Sequence, residues 1–296
     1  MVEGWILDIY QDSSSEGMVV WVKLDDGSVS KYIFYWSPVL HIAGNLDDID
    51  ALEVKLKEME YQTLFGVMKF SRQKRFKSHE VNEVSEVLAI SISRPSKLKQ
   101  VADVVSAIGK WSKFDVFSVD PRPSQRFLHD MNTHPFGRIR ISNNQIISLD
   151  KRTDAQWTPP PLRQAMLKVN CKDKHGKRSS NGLVTGVTII DMGLLGSNSK
   201  RIPIHIHLTP ERNEDEFLYE VERAIHWINP DVLITNKGDS IDFPALINIA
   251  SRNGRELRFS RNKRGTNIRR KAITTWSYGR ILRSDAYHAL EGNKNV

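Results

Sequence analysis

The chain has 296 residues, enough for two modest domains with separate cores, and its 40% hydrophobic content is that of a globular protein, not a disordered one. No apolar run of about 18 residues occurs, which argues against a spanning helix, and the opening residues have neither the basic start nor the small-residue cleavage site of a signal peptide. A formal charge of +8 with a pI near 9.5 favours a polyanionic partner, and the single cysteine, Cys171, excludes an intrachain disulfide and fits a reducing, cytoplasmic setting.

In chain order, Trp5 to Tyr10, Met18 to Leu24 and Ser30 to Trp36 read as strands, with Asp25-Asp26-Gly27 as a hairpin turn. Asn45 reads as the N-cap of a helix with Asp47 and Asp48 in its first turn and Ile49, Leu52, Leu56 and Met59 as its apolar stripe. Val84 to Ser93 is a further strand. Ser96 is expected to cap a second helix, with Leu98, Val101, Val105 and Ile108 inward and Gly109 past its end. Phe114 to Val119 reads as a strand, and this βαβ-βαβ-like order predicts an α+β unit. Residues 131–158 are polar and turn-rich and read as a connector; it ends at Pro159-Pro160-Pro161, so the boundary is placed between domains 1–158 and 159–296.

The second half begins with strands at Gln164 to Cys171, Leu183 to Met192 and Ile202 to Leu208. A helix is expected from Glu214 to Ile228, capped by Asn213 and lined by Phe217, Val221, Ala224, Ile225 and Ile228. Then come the strand Asp231 to Thr235 and the helix Phe243 to Asn253, opened by Asp242 and ended at Gly254. Three strands, helix, strand, helix is the opening order of the ribonuclease-H-like exonuclease fold, with a mixed central sheet. The predicted class is α/β: an α+β domain followed by that exonuclease-type domain.

The positive charge is clustered. Arg252, Arg255, Arg258, Arg261, Lys263, Arg264, Arg269, Arg270, Lys271, Arg280 and Arg283 stand against Glu256 alone, so mutual repulsion argues for a nucleic-acid partner. A smaller cluster, Lys69, Arg72, Lys74, Arg75 and Lys77, interleaves with Phe70 and Phe76, as phosphate neutralisation with base stacking requires, although a solvated face has the same composition.

Several segments carry a family resemblance. Asn229 to Leu246, NPDVLITNKGDSIDFPAL, resembles the second exonuclease motif of archaeal family-B DNA polymerases, DPDVLITYNGDNFDFAYL. Gly4 to Asp8 resembles their GWILDVDY, Pro38 falls at the proline of FEPYFY, and Asp120 to Leu128 resembles DIPFAKRYL. Pro159 to Arg163 is similar to the PPPLR that leads into the first exonuclease motif, and Gly279-Arg280-Ile281 with Asp285-Ala286-Tyr287 to GRIHFDLY. The resemblance implies the N-terminal and exonuclease domains of such a polymerase. Nothing up to Val296 resembles palm, fingers, thumb or the third exonuclease motif.

Proofreading in that family uses two divalent ions held by carboxylates, the first two of which alternate on one strand face as Asp-x-Glu. Aligned on MLAFDIE, this chain has Asn170 and Lys172 at those positions, an amide and an ammonium where cations should bind. Lys237 replaces the usual Asn of the second motif, while Asp242 and Asp285 match family aspartates. The resemblance thus implies an inactivated exonuclease that needs no cofactor. Its expected role is non-catalytic: binding template or single-stranded DNA and scaffolding a polymerase core. Lys172 is available to hold a phosphate instead of opposing a metal.

Two alternatives are an active Mg²⁺- or Mn²⁺-dependent exonuclease that recruits Asp173, Asp191, Asp239, Asp242 or Asp285 in rearranged geometry, and a protein-interaction subunit of a replication or repair complex. Archaeal relatives also read template uracil in an N-terminal pocket. Pro38, Val87 and Arg126 match positions near it, although Gln11 stands where an aromatic is usual.

Asn236-Lys237-Gly238-Asp239 mimics a guanine-specificity motif, but no phosphate-cradling loop accompanies it. His205 and His207 with Cys171 lack zinc-ligand spacing and read as ordinary strand residues. Ser13-Ser14-Ser15 reads as a turn with no neighbouring base.

Overall fold

The computed structural model of the chain describes residues 1–12, 16–76, 84–150, 158–195, 201–261, 265–266, 273–277 and 280–284, the last two segments by their backbone alone. The fold is mixed α+β and divides into two units between Pro160 and Pro161, inside the proline run. No helix among the described residues is long and apolar enough to cross a membrane.

The first unit runs β1 (Val2–Asp12), β2 (Gly17–Leu24), β3 (Val29–Phe34), β4 (Val39–Ala43), α1 (Leu46–Leu56), α2 (Met59–Phe65), β5 (Met68–Phe76), β6 (Val84–Ile92), α3 (Leu98–Ile108), β7 (Asp115–Phe117), α4 (Pro123–Asp130), β8 (Arg138–Ser142) and β9 (Gln145–Ser148). It holds a five-stranded sheet, β3-β2-β1-β8-β9, and a four-stranded one, β5-β6-β4-β7. Every strand pair in it is antiparallel, which corrects the βαβ-like reading while keeping the α+β class. The period-2 alternation of Met18, Val20 and Val22 packs one face of the first sheet on Phe127 and Leu128 of α4. In the second sheet Leu40, Ile42, Leu88 and Ile90 meet Ile49, Leu52 and Leu56 of α1 and Val101 and Val105 of α3. Each such fully buried aliphatic side chain contributes about 1.5–3 kcal/mol.

Two local expectations in this unit are overturned. The 131–158 connector contains β8 and β9, joined at Asn143 and Asn144, whose φ angles of 49° and 60° form the tight turn that suits a twisted hairpin. Ser96 caps nothing. It lies in a 3₁₀ turn, Pro95–Lys97, before α3, and its hydroxyl donates to Glu16 at 2.8 Å.

The second unit contains β10 (Arg163–Lys172), β11 (Leu183–Leu194), β12 (Ile202–His207), α5 (Glu214–Ile228), β13 (Val232–Thr235), α6 (Phe243–Arg252), β14 (Ile273–Ser277) and β15 (Arg280–Ser284). Its main sheet has the order β12-β11-β10-β13, antiparallel except for the parallel β10–β13 pair, a mixed sheet as expected. Ala165, Leu167, Val169 and Cys171 of β10 face the core, where Phe217, Val221 and Ile225 of α5 and Leu246 and Ile249 of α6 cover them. Met166, Lys168, Asn170 and Lys172 face outward. Asn213 caps α5 by accepting from Asp215 N at 2.8 Å, and Asn229 ends the helix in the left-handed region at φ 50°.

Candidate functional site

β10 and β13 stay paired from Gln164↔Val232 to Leu167↔Thr235 and no further, and the place beyond the carboxyl ends of these two parallel strands is the candidate crevice. Ligand sites of open α/β sheets form at such places. The chain leaves β13 through Asn236 and Lys237, the latter at φ 68°, and closes a π-type turn, Gly238–Asp242, onto α6. A Cβ at Gly238 would stand 2.0 Å from Thr235 Oγ1, so the turn closes this tightly only on glycine.

Asp242 does not cap α6. Its backbone is already helical, at φ −64° and ψ −55°, and its side chain makes no capping bond. The fully buried carboxylate points to β10 instead, where Oδ1 accepts from Val169 N at 2.9 Å and so continues the strand pairing past the end of β13. Burial pushes this carboxyl above its ordinary value, against the Val169 N–H and the guanidinium of Arg178.

Arg178 was not among the sequence-derived candidates. Its Nη2 pairs with Asp242 Oδ1 and reaches Val169 O at 3.5 Å, while Nη1 donates to Asn236 O at 3.0 Å. The guanidinium therefore ties β10, the β13 turn and the start of α6 together. A tight loop delivers it: Asp173 Oδ1 accepts from His175 N and Lys177 N, both at 2.9 Å, Gly176 turns at φ 74°, and Arg178 bridges back to Lys172. Asp173 and Gly176 were a legible turn signal, and following it two residues further would have placed a cation, Arg178, beside Lys172.

Among the described residues the donor set does not fit a divalent ion. The first-motif positions Asn170 and Lys172 share the outer face of β10, one neutral and one cationic, and Lys168 on that face acts electrostatically on Asp242. Arg178 already supplies the positive charge at the remaining carboxylate. Among the described residues the carboxylates of the rearranged alternative are not gathered into one group. Asp173 folds its own loop, Asp239 lies in the turn, and Asp191 pairs with Arg163 at 2.6 Å. Burial pushes Asp191 up, but the Arg163 and Gly193 hydrogen bonds outweigh it and hold the carboxyl below its ordinary value. Among the described residues no group of three or more His, Cys, Asp or Glu is gathered to hold a metal, and Asp285 lies outside them.

The carboxy-terminal cations are less free than their sequence suggests. Arg252 pairs with Glu214 at 2.7 Å, Arg255 with Asp215 at 2.8 Å and with Glu222, and Arg261 with Asp231 at 2.8 Å. These three are therefore not left to repel one another, because α5 and Asp231 bring the missing acids. The Arg255 pairs hold its guanidinium above the ordinary value despite burial. Arg258 is exposed; Lys263, Arg264, Arg269, Arg270 and Lys271 lie outside the described residues. The cations left facing solvent around the crevice are Lys168, Lys172, Lys174, Lys177 and Lys237.

In the first unit, β5 is the edge of its sheet and carries the smaller basic cluster, a common guard against edge-to-edge pairing. Arg72 there pairs with Glu53 at 3.0 Å and with Asp50; Lys69, Lys74 and Arg75 are exposed, and Lys77 lies outside the described residues. A cavity of about 830 Å³ is lined by Val39, His41, Arg75, Ser118, Gln125 and Arg126, among others. Arg126 is its only member of the expected template-base trio. Pro38 and Val87 are buried and do not line it. The Arg126 guanidinium is also taken, donating to Ser118 O at 2.9 Å and Val39 O at 2.6 Å and pairing with Asp130 at 3.3 Å. His205 and His207 project from the outer face of β12 while Cys171 is buried, so the two histidines and the thiol lie on opposite sides of the sheet. Burial pushes the Cys171 thiol up, as befits an inert core residue.

No protein-family model and no curated protein matches the sequence. Among solved structures, the chain is similar to the family B DNA polymerase from the hyperthermophilic archaeon Pyrobaculum calidifontis, with a TM-score of 0.63 and 15% identity. The match covers 95% of this chain and 35% of the polymerase, so the chain spans about a third of that protein's length, and the likeness is one of fold: this chain folds like part of a family B DNA polymerase.

Proposed function

We propose that the chain is the non-catalytic N-terminal and exonuclease-like part of a family-B-type polymerase system, which binds template or single-stranded DNA at the β10–β13 crevice and scaffolds a polymerase core. The observation that carries this reading is the guanidinium of Arg178 on the buried Asp242, with the exposed Lys172 where an acid would have to stand. Covalently attached cations take the place of dissociable ones. Lys168, Lys172, Lys237 and the Lys174–Lys177 loop then offer phosphate contacts that need no metal.

Titration with labelled single-stranded DNA over a range of salt tests it. Removing one lysine–phosphate interaction makes the slope of log affinity against log salt shallower by roughly 0.7 for a single strand. The double variant Lys168→Gln/Lys172→Gln should therefore bind more weakly with a slope shallower by about 1.4. A flat salt response in the unaltered chain would remove the proposal. So would Mg²⁺- or Mn²⁺-dependent degradation of the strand that disappears in Asp242→Asn.

A further inference from the structure

β12 is an edge of its sheet and pairs only with β11 among the described residues. Leu208 N donates to Thr185 O at 3.0 Å, continuing the register of His207↔Gly186. Antiparallel ladders alternate residues that bond to the neighbour with residues whose main-chain groups point away. Ile204 and Ile206 therefore bond inward, and Pro203, His205 and His207 turn outward. A proline on this strand is compatible with an edge position, having no N–H to offer. Arg212 Nη1 takes the His207 carbonyl at 3.1 Å. The N–H groups of His205 and His207 and the carbonyls of Pro203 and His205 remain without a partner among the described residues.

Beside this edge lies a cavity of about 490 Å³ between β12 and α5, lined by Ile204, Ile206, Glu220, Arg223, Ala224 and Trp227. Trp227 is 75% exposed and Tyr219 61%, and the spacing of Tyr219, Arg223 and Trp227 sets them on one face of α5. An amphipathic helix that already buries Phe217, Val221 and Ile225 does not need a second aromatic face to fold. Glu220 is matched by Arg212 at 2.6 Å, whereas Arg201 and Arg223 make no ion pair among the described residues. The groove thus combines an open row of backbone groups, an apolar hollow and unmatched positive charge.

We propose that the groove between β12 and α5 takes an extended, acidic segment of a partner protein as an added strand. One apolar or aromatic side chain of the segment enters the hollow against Trp227, and a neighbouring carboxylate meets Arg223. Main-chain pairing supplies affinity in this mode, and the pocket for alternate side chains supplies specificity. A nucleic-acid strand has no alternating N–H and C=O groups to match the edge. A second copy, pairing edge to edge, would bring its own Arg201, His205 and His207 against the same row and no acid of its β12 to meet Arg223. This surface is separate from the β10–β13 crevice, and peptide capture here does not depend on DNA binding there.

The test pans short random peptides displayed on phage against the full chain. Enriched sequences, made synthetically with a fluorophore, are titrated by anisotropy against the unaltered chain, Trp227→Ala and Arg223→Glu. Both altered side chains are exposed, so neither change threatens the core. Acids alternating with aromatic or branched residues are expected in the enriched sequences, each variant should weaken binding about tenfold or more, and the His205 and His207 amides should exchange more slowly when peptide is bound. Four results would overturn the proposal: enrichment of no acidic sequence, binding by both variants as tight as by the unaltered chain, His205 amide protection already present in the peptide-free chain, or displacement of the peptide by oligo-dT with the same dependence on Trp227 and Arg223.

Discussion

Replacing Arg178 by alanine would strip the counter-charge from a carboxylate with no exposure of its own. The Asp242 side chain is 0% accessible and that of Arg178 27%. Removing one partner of a fully buried pair costs about 3–5 kcal/mol; the partial exposure of Arg178 lets water compensate in part, so the expected loss is about 2–4 kcal/mol. The loss includes the Asn236 carbonyl, which accepts from Arg178 at 3.0 Å and would be left to water. At roughly 3–4 °C per kcal/mol for a unit of this size, melting of the second unit should fall by roughly 6–16 °C.

The pH dependence separates an electrostatic cause from lost packing. Burial already raises the Asp242 carboxyl above its ordinary value, and without Arg178 the rise is larger. A carboxyl whose folded value is raised favours folding while protonated and disfavours it once ionised, so its penalty grows as pH climbs through the folded value. The gap between Arg178→Ala and the unaltered chain should therefore be widest near pH 8 and narrow towards pH 4. Arg178→Ala/Asp242→Asn should recover most of the loss, because the amide oxygen still accepts from Val169 N. Differential scanning fluorimetry at the two pH values, with hydrogen exchange at Val169 to locate the effect, measures this. A melting loss independent of pH, or no rescue by Asp242→Asn, would refute the claim that Arg178 acts as the fixed counter-ion of Asp242.

Placing acids on β10 alone should not create a metal site: Asn170→Asp/Lys172→Glu is expected to bind Mn²⁺ no better than the unaltered chain by electron paramagnetic titration, whereas adding Arg178→Ala to it should create a measurable site. Gly182→Ala would place a Cβ 2.5 Å from the Lys172 carbonyl oxygen and force the Asp173–Asn181 loop off β10, costing about 1–3 kcal/mol in urea unfolding and loosening Arg178. Burial lowers His41 below its ordinary value, so the stability of the first unit should hold above about pH 6.5 and fall as pH drops through that value towards the folded one. His41→Gln should flatten that limb of the profile in fluorimetry between pH 7 and 5.

How much of this was legible in the sequence depended on whether the signal was local. Helix α5 follows from Asn213, three acids in its first turn and an apolar stripe, all within the element itself. The alternation of β10 likewise put Asn170 and Lys172 on one face without any tertiary knowledge. The β8–β9 hairpin was readable too, from Arg138-Ile139-Arg140-Ile141 followed by Asn143-Asn144, but polar composition masked the period. What could not be read was pairing at long range. The cation run from Arg252 to Arg261 looks unbalanced along the chain, yet Glu214, Asp215, Glu222 and Asp231 reach it from 30 or more positions away. Arg178 meets Asp242 across 64 positions, and nothing local announces it.

Those long-range pairs also suggest why the crevice keeps its aspartate. An isolated buried carboxylate at Asp242 would be costly, and a neutral or apolar side chain would serve as well unless the charge has a structural role. That role is to continue the β10–β13 ladder: Asp242 accepts the Val169 N–H that β13 is too short to reach, and Arg178 then bonds both the Val169 carbonyl and Asn236. One ion pair thus closes the end of a parallel strand pair from three sides. This arrangement leaves the lysines around it exposed. Asp242→Leu, which is close in volume but offers no acceptor, should therefore destabilise the second unit more than Asp242→Asn does. If the two variants melt together, the aspartate is kept for some reason other than the ladder.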